Sequence, residues 1–135
     1  LYLPALEERL TRGWERLVDL DLAVVDLMLQ WFGLYRETRR SSELGIPGDR
    51  SERLLKICQH FDAERYLSGD AAKDYLDVAL FERYGIKVEW QEYRHPVYPQ
   101  PHGPFVPYLS ALDLLLNCGP DSLSILTHNQ GKDTK

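Results

Sequence analysis

Five of the eight prolines fall within residues 96–107, at Pro96, Pro99, Pro101, Pro104 and Pro107, and no other feature constrains the fold as much. Each proline fixes its φ and has no amide hydrogen, so the stretch can be neither a helix nor a central strand. A loop this long in a compact domain is generally functional, and five fixed φ angles make it stiff. The rest of the chain has to present that loop as a shaped surface.

Hydrophobic periodicity supplies the frame. Leu3, Leu6 and Leu10 keep helical spacing until Thr11-Arg12-Gly13. A longer stripe then runs through Leu17, Leu20, Val24, Leu27, Met28 and Trp31, with Gly33 as its stop. Asp19 and Asp26 lie off that stripe and are read as facing water. Residues 35–42 suit a short extended segment leading to the Gly45-Ile46-Pro47-Gly48 turn. Asp49 or Ser51 then caps a helix with the stripe Leu54, Leu55, Cys58 and Phe61, and Asp49 with Glu52 forms a capping-box-like pair. A strand is expected over residues 63–67. After Ser68-Gly69-Asp70 comes a helix carrying Tyr75, Leu76, Ala79, Leu80 and Phe81, stopped by Gly85. Residues 86–93 alternate as a third strand. Beyond the proline loop, Leu109, Leu112, Leu115 and Leu116 define a last helix ending at Asn117-Cys118-Gly119-Pro120, and residues 128–135 form a polar, disordered tail.

Strands alternating with helices predict an α/β fold. We expect a Rossmann-like βαβαβ unit with a short parallel sheet, N-terminal helices and a C-terminal helix. At 135 residues there is room for one domain, assigned to residues 1–127. Three short strands are few for such a sheet, so the expectation is a partial domain: the C-terminal portion of a longer chain whose N-terminal part is missing. The net charge of -5 gives no positive field for a nucleic-acid backbone, which excludes that partner class. No apolar run approaches the roughly 20 residues of a transmembrane helix. Cys58 and Cys118 belong to no ligand or redox spacing and read as buried, reduced thiols, which suits the cytoplasm.

Ligands of open parallel sheets bind beyond the carboxyl ends of the strands. That rule selects Ser41 and Ser42 after the first strand, Ser68 and Gly69 after the second, and the loop starting at His95 after the third. At Ser68-Gly69-Asp70, unpaired amides at a helix start could hold an anion, with Lys73 adding positive charge. The same residues also read as a tight turn with Asp70 as a cap. Asp74 suits either capping or a general base. His95 can act as a general acid or base, with Tyr98 and Gln100 beside it; the alternative is a surface histidine bonded to loop carbonyls. His95 and His102 lack the further ligands a metal needs, so no metal site is expected. No motif names a cofactor. The expected partner is a small-molecule substrate.

Several blocks together carry a family likeness. They are Ser41-Ser42-Glu43-Leu44-Gly45, Ser51-Glu52-Arg53-Leu54-Leu55, Tyr66-Leu67-Ser68-Gly69 with Lys73-Asp74-Tyr75-Leu76, His95-Pro96-Val97-Tyr98-Pro99-Gln100, Gly103-Pro104-Phe105-Val106-Pro107, and Ser110-Ala111-Leu112-Asp113-Leu114-Leu115-Leu116-Asn117-Cys118-Gly119-Pro120. In these blocks the chain resembles the WbqC-like protein family, over about residues 14–126. The resemblance implies a bacterial cytoplasmic protein often encoded among genes for O-antigen, lipopolysaccharide or other surface-polysaccharide synthesis. Members of that family look longer, opening with a His-Gln-Pro-x-Tyr-x-Pro-type motif that is absent here. With that context, the convergence of polar residues at the strand ends is read as group transfer to an activated sugar or nucleotide-sugar, with His95, Asp74 and Lys73 catalytic and Ser41, Ser42, Ser68, Gly69, Tyr98 and Gln100 binding substrate. Two alternatives stay open: a noncatalytic binding module of a biosynthetic assembly, and a nucleotidyl-transfer or ligase-type enzyme.

Overall fold

The structure is a computed structural model and describes residues 2–128. In chain order its elements are α1 (Leu3–Thr11), α2 (Leu17–Trp31), α3 (Arg50–His60), β1 (Arg65–Ser68), a 3-10 turn (Asp70–Asp74), α4 (Val78–Arg83), β2 (Lys87–Trp90), α5 (Ala111–Cys118), a second 3-10 turn (Gly119–Asp121) and α6 (Ser122–His128). They belong to two compact units. One holds residues 1–37 and 94–135, the other residues 38–93.

The unit of residues 38–93 is built around one parallel strand pair, β1 with β2, in the register Arg65↔Lys87 to Ser68↔Trp90. Parallel strands need a crossover, and here it consists of the 3-10 turn and α4. One face of the pair carries Tyr66, Val88 and Trp90 against a core of Leu55, Cys58, Ala72, Leu76, Phe81 and Ile86. Phe81 is fully enclosed and stacks on Tyr66, ring centroids 5.1 Å apart. Leu55 and Cys58 come from the stripe read for α3, but Phe61, placed on that stripe, closes the helix exposed and edge-on to His60. Asp49 occupies the N-cap position of α3 without a side-chain bond, and Glu52 pairs with Lys56 at 2.7 Å, so no capping box forms. The Ser51 hydroxyl instead accepts the Asp77 amide at 3.0 Å.

Two expectations for this unit are corrected. Residues 35–42, assigned to a first strand, form none: residues 34–40 are irregular and 41–45 are turn. The reason is local, since no apolar alternation there faces a core. Tyr35 is exposed, Arg40 pairs with Glu43, and Arg53 donates to the Ser41 carbonyl. The expected βαβαβ unit is therefore a βαβ unit among the described residues. The helix placed directly after Ser68-Gly69-Asp70 is split into the five-residue 3-10 turn and α4. Asp77 causes the break, because its carboxylate accepts the Leu80 amide at 3.0 Å and starts a new helix.

Among the described residues, the unit of residues 1–37 and 94–135 is helical. α1 packs on α2, and a core of Phe32, Tyr98, Leu114 and Leu115 gathers Met28, Trp31, Phe105, Leu123 and Leu126. Gly33, at φ 67°, lets the chain leave α2 as expected. α5 buries Leu114 and Leu115, whereas Leu109 and Leu116, placed on its apolar stripe, are exposed. It stops at Gly119, at φ 55°, as read. α6 then follows, which the sequence reading did not foresee. Ser122 starts it, 1% exposed, with its hydroxyl 2.6 Å from the Gly119 carbonyl. His128 closes α6, so it is not part of the expected tail; the rest of that tail, residues 129–135, lies outside the described residues. Among the described residues no helix is long and apolar enough to cross a membrane.

Candidate functional site

The proline loop belongs to the helical unit and is fastened from inside. Tyr98 is buried, and its hydroxyl donates to Asp113 Oδ2 on α5 at 2.8 Å. Gln100 Nε2 donates to the same carboxylate oxygen at 3.1 Å and to the Val106 carbonyl at 3.1 Å, while Gln100 Oε1 accepts the Val106 amide at 2.8 Å. The Gln100 amide thus acts as a peptide-like partner across the loop, satisfying backbone groups that a proline-rich segment cannot pair with itself. Burial, and then the hydrogen bond to the Asp113 carboxylate, pushes the Tyr98 hydroxyl above the usual tyrosine range. It stays protonated at neutral pH and serves as a donor.

His95 sits half-buried at the start of this loop. Its Nδ1 lies 2.8 Å from the Pro96 carbonyl. A carbonyl can only accept, so Nδ1 carries the proton and the lone pair of the neutral ring is on Nε2. The ring is flanked by Tyr108, with centroids 5.0 Å apart, and by Tyr98 and Phe105, each at 5.9 Å. Tyr108 is 72% exposed and takes φ 60°, a backbone conformation costly for an aromatic residue and often found at functional sites. An imidazole and a phenol therefore share one rim, the phenol open to solvent, on a loop that the Gln100 and Tyr98 bonds hold in place. His102 is exposed further along the loop.

Tyr98 and Gln100, expected among the ligand contacts, bond their side-chain polar atoms to Asp113 and, for Gln100, also to the Val106 backbone. The structure makes them fasteners of the loop that carries His95. Asp113, which receives both, was missed in the sequence because it reads as the polar position of a leucine-rich helix. A signal was present nonetheless: a carboxylate in the first turn of α5, shortly after a loop supplying a tyrosine and a glutamine.

The other predicted residues lie in the unit of residues 38–93. Ser68 is buried at the end of β1, and Gly69 precedes the 3-10 turn rather than an α-helix. A turn of five residues has little dipole to offer an anion. Lys73 bonds Asp70 at 2.6 Å and lies 5.5 Å from the centre of the Trp90 ring. The hydrogen bond it donates to Asp70 raises its pKa, so it is charged but already paired. Asp74 ends the turn, and Ser41 and Ser42 are exposed. Both thiols are pushed up, mainly by burial, and are poor nucleophiles. No group of three or more His, Cys, Asp or Glu residues among the described residues is placed to hold a metal ion.

Comparison with known proteins gives the chain its relatives. The sequence profile of the WbqC-like protein family matches residues 1–125. The chain belongs to the WbqC-like protein family. The match takes in the His95 loop, Asp113 and the parallel strand pair. The chain is 30% identical over 110 residues to the uncharacterized protein Rv1507c of Mycobacterium tuberculosis, covering 81% of this chain and 48% of that protein. It thus spans about half the length of this WbqC-like relative. No solved structure matches the chain.

Proposed function

We propose that this WbqC-like protein takes part in bacterial surface-polysaccharide synthesis by transferring a group to an activated sugar or its amine. The observation that carries the reading is the placement of His95 on a loop fastened by Gln100, Tyr98 and Asp113, with its Nδ1 proton committed to the Pro96 carbonyl. With Nδ1 donating to the Pro96 carbonyl, Nε2 is the ring nitrogen assigned the role of base. His95 takes the proton from the sugar hydroxyl or amine as that atom bonds to the transferred group. The leaving group departs with the electron pair of the broken bond. Tyr108 and Phe105 line the ring of His95 and give an apolar wall to a sugar or base. Lys73 keeps N–H donors beyond the one given to Asp70 for an anionic group of a ligand, with Ser68, Gly69, Asp74, Ser41 and Ser42 as its companions in the unit of residues 38–93.

A second reading has an observation of its own. Val97, Val106, Tyr108 and Leu109 are all exposed along the stiff loop, which suits a noncatalytic contact surface for a biosynthetic partner.

A thermal-unfolding screen with nucleotides and nucleotide-sugars separates the two. A ligand present at 100 times its Kd stabilises by about 2.7 kcal/mol. The transfer reading expects one class of nucleotide-sugar to raise the melting temperature of the unsubstituted protein, His95→Ala to abolish turnover, and Lys73→Ala to weaken binding of the charged ligand. Unchanged activity and affinity in both variants removes the catalytic assignment, and no shift with any nucleotide favours the contact-surface reading.

A further inference from the structure

The strand pair in the unit of residues 38–93 has an open side. In the observed register, the Lys87 amide bonds the Glu64 carbonyl and the Gln91 amide bonds the Ser68 carbonyl, each at 2.9 Å. Backbone groups alternate sides along a strand, so Glu64, Tyr66 and Ser68 serve β2, and the amides and carbonyls of Arg65 and Leu67 point away from it. Among the described residues no third strand meets them. An open groove of about 610 Å³ lies over the adjoining face of the pair, away from the core, lined by Asp62, Ala63, Glu64, Arg65, Leu67 and Glu89.

The edge is only partly protected. β1 is four residues long and carries the charged Arg65, devices that blunt strand edges, but it has no proline or lysine, and Leu67 offers an apolar side chain that is 63% exposed. On the opposite margin the outward-facing residues of β2, Val88 and Trp90, are half-buried, with Lys73 over the Trp90 ring. Purely parallel sheets are also normally covered on both faces, and the face that carries Leu67 is open. The groove has a charge preference, since Asp62 and Glu64 form no ion pair among the described residues while Glu89 is held by Lys87 and Arg65.

We propose that the outer edge of β1 receives a further extended strand of the same polypeptide, drawn from the additional length that the Mycobacterium relative has and the matched stretch lacks. The Rv1507c protein is about twice as long as the part this chain covers, which leaves ample chain to supply it. The incoming strand bonds the main chain of Arg65 and Leu67, lays an apolar side chain over Leu67 and brings a lysine or arginine to Asp62 and Glu64. This strand completes the sheet on the β1 side, and the inference is independent of the role given to His95.

Residue-resolved hydrogen exchange on the full-length gene product and on the 135-residue chain tests it, each at two protein concentrations. In the full-length protein the Arg65 and Leu67 amides should exchange as slowly as those of Lys87 and Gln91, at both concentrations. In the shorter chain they should exchange at least about 100-fold faster, with Lys87 and Gln91 still protected. Fast exchange at Arg65 and Leu67 in the full-length protein overturns the proposal. Protection that grows with concentration overturns it too, by making a second copy the occupant. If the shorter chain loses protection at Lys87 and Gln91 as well, its strand pair does not hold alone and the full-length measurement decides.

Discussion

Asp113 is the residue on which the loop depends. Its carboxylate takes hydrogen bonds from both Tyr98 and Gln100 at one oxygen, and neither donor is a neighbour in sequence. Removing the Tyr98 hydroxyl leaves Asp113 with Gln100 alone, so Tyr98→Phe should cost about 1.5 kcal/mol, the usual worth of a hydrogen bond to a charged group. The pH dependence has a defined sign. The folded state holds the Tyr98 proton more tightly than the unfolded chain does. That contribution is complete below the ordinary tyrosine pKa of about 10 and is lost as the pH rises through the higher folded value. Denaturant titrations at several pH values should therefore show a steeper alkaline loss in the unsubstituted protein than in Tyr98→Phe, and identical profiles would contradict the assignment. The sequence placed His95, Tyr98 and Gln100 together because they share one loop. It could not assign Tyr98 and Gln100 their role as fasteners, since that is decided by a carboxylate at the polar position of a helix read for its leucines.

At the scale of elements, legibility followed the strength of the periodic pattern. α2 was readable because its stripe of leucines, valine and tryptophan repeats over fifteen residues. β2 was readable from alternation, but only Lys87–Trp90 of the expected residues 86–93 form it, and the chain leaves the strand with Glu92 at φ 46°. Residues 35–42 misled because arginine, threonine and serine are compatible with a strand edge, yet nothing there pairs with a core, and side chains satisfy the segment locally. α6 was hidden behind Gly119-Pro120, which ends one helix and, with Pro120 in the 3-10 turn, leads into the next. The crossover between β1 and β2 rests on Phe81, the one aromatic from α4 that is fully enclosed, stacked on Tyr66 of β1. Phe81→Ala should destabilise the unit of residues 38–93 by about 3–5 kcal/mol. Chemical denaturation measures it, and a loss below about 1 kcal/mol would mean that the strand pair does not depend on this contact.

At the scale of the molecule, the chain is a WbqC-like protein of two compact units, each holding part of the predicted chemistry. The helical unit presents the His95 loop, and the other carries the parallel strands with Ser68, Gly69 and Lys73. Composition and charge narrowed the partner class, but the substrate is not written in any single motif. What the structure adds is a reason for the proline run: it forms a stiff margin whose Val106 amide and carbonyl are satisfied by one glutamine and which is tied to α5 by the Asp113 carboxylate and by the packing of Tyr98 and Phe105 with Leu114 and Leu115. The central claim, that this margin is where a ligand binds, is tested most directly by backbone and aromatic chemical-shift mapping of the full-length protein with the nucleotide-sugar giving the largest thermal shift. The account predicts shifts concentrated at His95 and at Phe105, Val106 and Tyr108, weakened in His95→Ala. Shifts confined to residues outside the His95 loop would contradict it.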